Sequence, residues 1–334
     1  MLHRQNWRAV MTEGVRPFQF VRRAAGTLLF TGLVLISGSG LAQTPPQSVD
    51  RAQLLRTQPP TLRDDGTGVT GTDNVHAVAS PNDPDLGEQA ILKRAEEYQA
   101  FTFVASVPLS YTSNVALVRR GAQGDFLFSP SVGFLYAPRI TRTLYGTIGV
   151  GQQFFYYDKF GELNFGSFDA QAGLTYSLPQ LRNLIVRGAY RYNRLTFDDS
   201  FDEFFSNHSI ALGAEMPFRF GRAQQLSVGL DLDFSLHAEP AQPRRHDYSV
   251  FAGYAVNLTR ALTLNAVGRL ALRDYVQGDR TDFSAILALG GSYRITRWFS
   301  ANAIATLATS DSNINAFDYD VVNLGGALTV VYKF

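Results

Sequence analysis

From residue 99 to the end of the chain, apolar and polar positions alternate. In QLSVGLDLDFSLHA, Leu226, Val228, Leu230, Leu232, Phe234 and Leu236 fall on one side, and Ser227, Gly229, Asp231, Asp233, Ser235 and His237 on the other. Successive side chains of a strand point to opposite faces, so this is a strand with one apolar and one polar surface. FDAQAGLTYSL repeats the division, with Phe168, Ala170, Ala172, Leu174, Tyr176 and Leu178 opposite Asp169, Gln171, Gly173, Thr175 and Ser177. YSVFAGYAVNL, LTLNAVGRLALRDY and NLGGALTVVYKF continue it. The pattern predicts about twelve strands, over 100–112, 126–137, 143–157, 166–178, 183–197, 206–219, 225–237, 246–257, 262–275, 282–294, 298–310 and 319–334. Each is long enough for the roughly 9–11 residues that a tilted strand needs to cross a bilayer, whereas soluble strands run nearer five or six.

The connections alternate in length. Short ones hold APRITR, LPQLRN, RFGRAQ, NLTRA and RITRW; longer polar ones hold TSNVALVRRGAQGD, DKFGELNFGS, DDSFDEFFSN, EPAQPRRH, QGDRTD and DSNINAFD. Short turns on one rim and longer loops on the other are expected of an outer-membrane barrel, and an even strand count puts both barrel ends on the short-turn, periplasmic side. A soluble sandwich also alternates, but with fewer and shorter strands. Here Tyr136, Tyr176, Phe218, Tyr254, Tyr293 and Trp298 lie towards strand ends on the apolar face, where interfacial belts sit. In hydrocarbon every backbone N–H and C=O needs a partner, which a closed sheet supplies without edges. The expected fold is therefore all-β: a transmembrane antiparallel up-and-down β-barrel spanning residues 99–334.

Upstream the pattern is different. Arg22 and Arg23 precede the apolar AAGTLLFTGLVLISG, and Gly40-Leu41-Ala42 supplies small residues at an exit site. That is the layout of a secretory signal peptide over residues 1–42, cleaved before Gln43, with Met1 and Met11 both available as starts. Residues 43–84, rich in Pro, Gly, Thr and Asp, read as a mobile linker. Asp85 and Glu88 open a helix-favouring stretch over 85–98. This short periplasmic helix is either a docking element or plug in the barrel mouth, or a frayed lead-in to the first strand.

Composition narrows the function. With 30 Lys+Arg against 29 Asp+Glu, the chain has no electrostatic footprint for nucleic acid. Without Cys there are no disulfides, thiolate metal sites or Cys nucleophiles. If the apolar face meets lipid, the opposite parity lines the interior. It supplies ten charged pore-lining candidates: Asp169, Arg187, Arg191, Glu215, Asp231, Asp233, Arg269, Arg273, Asp282 and Arg294. Gln171, Asn193 and Asn265 share that face. Two readings follow: a hydrated passage for polar or charged solutes, or charges that pair across a narrow interior and fill it. A twelve-stranded barrel lies between filled eight-stranded and open sixteen-stranded ones, so size does not decide.

Enzyme constellations find little support. Asn207-His208-Ser209 places His and Ser side by side, hence on opposite faces, which breaks the hydrogen bond a hydrolase needs. His208, His237 and His246 fall near one rim, but parity puts only His237 inward and no metal-ligand spacing appears. Asp198, Asp199, Asp202 and Glu203 could attract Ca²⁺, although Phe201, Phe204 and Phe205 among them suit an inward-folding loop or lipopolysaccharide contact. No enzymatic activity, cofactor or metal is expected.

The chain resembles bacterial outer-membrane β-barrels of the porin superfamily, and more narrowly the β-barrel porin type associated with exopolysaccharide export. Tyr111-Thr112-Ser113-Asn114-Val115, the repeated Thr-Arg hairpins at 141–142, 259–260 and 296–297, and the terminal GGALTVVYKF carry the likeness. The narrower relatives are usually longer. The resemblance implies passive transport of polar solutes or an envelope polysaccharide, a place in the outer membrane among lipid and lipopolysaccharide, and polysaccharide-export components as partners. Phe334 matches the C-terminal signal read by the barrel-assembly machinery. A closed structural or surface-binding barrel without transport is the alternative.

Overall fold

The computed structural model describes residues 45–56 and 99–334, apart from 199 and 222. The expected signal peptide and the helix expected at 85–98 lie outside the described residues. The described elements are α1 (Pro45–Arg56), β1 (Phe101–Thr112), β2 (Asp125–Phe128), β3 (Ser131–Tyr136), β4 (Leu144–Tyr157), β5 (Phe165–Leu178), β6 (Leu184–Phe197), β7 (Glu203–Phe220), β8 (Gln224–Glu239), β9 (Arg245–Asn257), β10 (Leu262–Tyr275), β11 (Thr281–Arg294), β12 (Phe299–Ser312) and β13 (Tyr319–Lys333).

From β3 onward consecutive strands pair antiparallel, and β1 pairs with β13 from Thr102↔Lys333 to Thr112↔Asn323. The sheet thus closes, and Phe101 and Phe334 exchange two backbone hydrogen bonds of 3.0 Å at the seam. The wall has twelve positions because β2 and β3 share one: both pair with β1 on one side and β4 on the other. They meet at Ser129-Pro130, and Pro130 has no N–H to give the ladder, so the single strand expected over 126–137 is split in two.

The rim carrying Phe101 and Phe334 holds the turns 137–143, 179–183, 221–223, 258–261 and 295–298. Its three Thr-Arg hairpins share one construction. The hydroxyls of Thr141, Thr259 and Thr296 accept hydrogen bonds of 3.0 Å from the N–H groups of Leu144, Leu262 and Phe299. Residues 179–183 turn differently, with Arg182 and Asn183 both left-handed. The opposite rim carries the loops 113–124, 158–164, 198–202, 240–244, 276–280 and 313–318. The 18-residue β7 and 16-residue β8 reach into stretches expected as loops, so the second half of DDSFDEFFSN is strand.

The outer face is apolar. Leu109, Leu174, Val250 and Leu324 are each more than half exposed, a cost in water that hydrocarbon removes. Aromatic rings gather at the seam end, where Phe101 stacks on Tyr136 and Phe334 at centroid distances of 4.6 and 5.5 Å. Tyr254, Tyr293 and Trp298 are exposed towards the same rim. Tyr111, Phe126 and Phe128 form a second group towards the opposite rim.

The parity reading fails at His237. His208 pairs with His237 and Ser209 with Ser235, so Leu236 is an extra residue and β8 bulges there. An inserted residue reverses alternation beyond it. His237 consequently sits exposed beside His208 on the outer face, ring centroids 6.2 Å apart, and not inward as its spacing suggested.

Candidate functional site: a helix docked in a charged lumen

The larger correction concerns residues 45–56, part of the stretch that reads as a linker. They form α1. Pro45 and Pro46 open it, where a fixed φ is already helical and the missing N–H is not needed. Ala52 and Leu54 are good helix formers. The helix has no apolar stripe, because wall residues meet it on several sides. Ala52 and Val49 pack against a cluster that includes Leu127, Phe155, Phe165, Leu195 and Phe205, contributed by β2 and β4 to β7. Leu54 packs with Leu117, Ile286, Ala308, Tyr319 and Val321 across the lumen. Most of these positions lie in the half of the barrel nearer the longer loops.

Two charged residues fix the helix. Asp50 Oδ1 is 2.7 Å from Arg245 Nη1 and 3.3 Å from Arg273 Nη1, and all three side chains are at most 5% exposed. Burial by itself would raise the Asp50 carboxyl, but Arg273 and Arg245 outweigh it and hold the group below its ordinary value. Arg245 Nη1 also donates to the Tyr275 hydroxyl at 2.8 Å, and Arg273 Nη1 to that of Tyr319 at 3.4 Å. Arg51, with no exposed surface, points to the β1–β13 side. It donates to Thr112 Oγ1 at 2.8 Å, Asn323 Oδ1 at 3.2 Å, the Val115 carbonyl at 2.8 Å and the Asn114 carbonyl.

The ten lining candidates share the inward parity but sit at three levels. Arg187, Arg191, Glu215, Asp231, Asp233 and Arg269 form a belt on β6, β7, β8 and β10. Arg187–Glu215 is 3.1 Å, Arg191–Asp233 3.3 Å and Arg269–Asp231 3.5 Å. The guanidinium of Arg269 also lies 5.6 Å from the centre of the Phe251 ring. Asp169 accepts from Asn193 Nδ2 at 2.9 Å on the neighbouring strand. The belt keeps contact with solvent: the side chains of Arg187 and Arg191 are 44% and 54% exposed. Arg273 and Asp282 belong to the loop-end cluster, where Asp282 is paired with Arg280. Arg294 is at the seam end and donates to the Arg260 carbonyl.

Sequence reading missed Asp50, Arg51, Arg245 and Arg280 as members of the site. Arg245 falls in a stretch that reads as loop but is the first residue of β9, Arg280 is a loop residue, and Asp50 and Arg51 fall in the stretch that reads as linker. The one available signal was Tyr275, which shares the inward parity of Arg273 and stacks under Arg280 with 4.1 Å between guanidinium carbon and ring centre.

His208 accepts or donates at Nδ1 to the Tyr190 hydroxyl, 2.5 Å away on the outer face, while Ser209 is buried on the inner one. The expected separation of the two is observed. The acidic run is described at Asp198, Asp202 and Glu203, with Glu203 paired to Arg194 at 2.9 Å; Asp199 lies outside the described residues.

No family model matches the sequence, and no curated protein matches it. Solved structures do. The COG4313 outer membrane channel from Pseudomonas putida F1 matches at a TM-score of 0.50 and 11% identity, covering 71% of this chain and 96% of that one. The outer membrane phospholipase of Salmonella typhi, a dimer with bound calcium, matches at 0.44 and 12%, over 68% and 90%. The KdgM porin in complex with disordered oligogalacturonate matches at 0.38 and 8%, over 68% and 98%. The likeness is one of fold, and this chain has the closed antiparallel barrel fold of the outer-membrane β-barrel proteins.

Proposed function

We propose that this chain is a porin-like passive channel of the outer membrane, admitting polar solutes or segments of an envelope polysaccharide, and closed at rest by α1. The observation that carries this reading is the solvent-accessible belt of paired Arg and acidic side chains on the inner wall. Such a lining replaces part of a polar solute's hydration shell without holding it, because each guanidinium and carboxylate already has a partner and still faces water. The termini rim would face the periplasm and the longer loops the outside, with Phe334 read by the assembly machinery. Lipopolysaccharide would surround the outer aromatic groups, and polysaccharide-export components are the partners this reading implies. His208 and Ser209 on opposite faces speak against hydrolysis by that pair, so transport without catalysis is the reading we adopt.

The test is ion selectivity. In a form lacking residues 45–56, Arg187→Glu and Arg191→Glu together should move the reversal potential in a salt gradient towards cation preference, relative to the same form without the two substitutions. An unchanged potential in a conducting barrel would remove the belt from the pathway.

A further inference from the structure

Arg273 lies on the barrel wall with a side chain only 3% exposed, and its ion-pair partner among the described residues is Asp50. The local charge explains why that matters. Arg245, Arg273 and Arg280 place three guanidinium groups at this level of the lumen. The wall answers with Asp247, 2.9 Å from Arg245 Nε, and Asp282, paired with Arg280. Among the described residues one positive charge is left over, and the carboxylate that balances it comes from α1, which is not part of the wall. A barrel in which α1 has moved therefore keeps an excess of positive charge on the wall at this place, which favours another anion there.

We propose that Arg245 and Arg273, with the hydroxyls of Tyr275 and Tyr319, form a carboxylate-binding site that Asp50 fills at rest and that a carboxylate-bearing solute takes over when α1 is displaced. The fit is chemical. Arginine presents its donors in a planar fork suited to a carboxylate. Arg245 Nη1 and Arg273 Nη1 already converge on a single Asp50 oxygen. The two Tyr side chains add phenol groups and ring faces beside it, which suits a hydroxylated acid. Asp50 therefore acts as a tethered competitor, and acidic solutes would both bind and loosen the resting closure. The inference deepens the channel reading and rests on it for its biological meaning, but binding can be measured without conduction.

The experiment is calorimetric titration of the full chain in detergent micelles with sodium glucuronate, sodium succinate, glucose and sodium sulfate. Folding of each variant is checked by heat-modifiable migration. In Asp50→Ala the tethered competitor is gone, so glucuronate or succinate should bind at least ten-fold more tightly than to the parent. Whichever is tighter identifies an acidic sugar or a small dicarboxylate as the source. Adding Arg273→Gln to Asp50→Ala should abolish that gain. Equal affinity in the parent and in Asp50→Ala, equal binding of glucose, or sulfate binding as well as the carboxylates would overturn the assignment. If Asp50→Ala fails to fold, Asp50→Asn, which keeps the shape and removes the charge, gives the same comparison. A barrel that binds carboxylates but never conducts would sink the channel reading and leave this site standing.

Discussion

The loop end and the mid-lumen belt use the same residue types, Arg against Asp or Glu, to different effect. At the loop end Arg245, Arg273 and Asp50 are at most 5% exposed. In the belt Arg191 is 54% exposed and Asp233 29%. Removing one member of a buried pair strands its partner and costs about 3–5 kcal/mol. An exposed pair contributes about 0–1 kcal/mol and is screened by salt. The first region can therefore hold a helix in place, and the second, on the channel reading proposed above, would meet solutes without fixing anything. Water access, more than the list of charges, separates a latch from a lining.

Asp50→Lys, which sets a cation against Arg245 and Arg273, should have the largest effect. We expect α1 to leave the lumen and buried Arg51 to become a trypsin site, with cleavage after it faster by roughly 100-fold or more. Unchanged protection of Arg51 would mean the ion pairs do not hold the helix.

Acid sharpens the same contrast. The docked Asp50 carboxyl lies below its ordinary value, so its contribution to docking is complete above the undocked value, near 3.9, and is lost as pH falls through the docked one. Trypsin is inactive there, so pepsin accessibility of α1 is the measure. It should stay constant from about pH 5 down to about pH 4 and rise below that, while the barrel keeps its folded migration. Release already complete at pH 5 would contradict the assignment.

The smallest effect belongs to neither region. Thr259→Val removes a hydroxyl that accepts from the N–H groups of Ala261 and Leu262 at 3.1 and 3.0 Å. It should lower stability in urea by about 0.5–1 kcal/mol and leave α1 protection untouched, since the turn lies at the far rim. A loss of protection here would show the latch to be coupled to the whole wall.

Much of the wall was legible in the sequence because the alternation that places Leu230 outward and Asp231 inward is local to each strand. The twelve wall positions, the short-turn rim and the likeness of the three Thr-Arg hairpins all follow from such local signals. Legibility ended where one residue changed the count: the extra Leu236 turned His237 outward. It also ended where three-dimensional closure did the work. Nothing in PPQSVDRAQLLR repeats at a helical spacing, because the groups that make α1 stable, from Phe155 to Val321, come from strands far along the chain. Parity puts the ten candidate side chains on one face of the wall but is blind to depth, so Arg187 and Arg273 look equivalent in the sequence although one is wet and the other sealed.

The most direct test of the account is single-channel conductance in a planar bilayer, comparing the full chain with a form lacking residues 45–56. With α1 docked in the lumen, the full chain should give little or intermittent current, and the form without α1 steady current. Silence from both, with the barrel verified as folded, would contradict it and make the lumen a filled support for a structural or surface-binding protein.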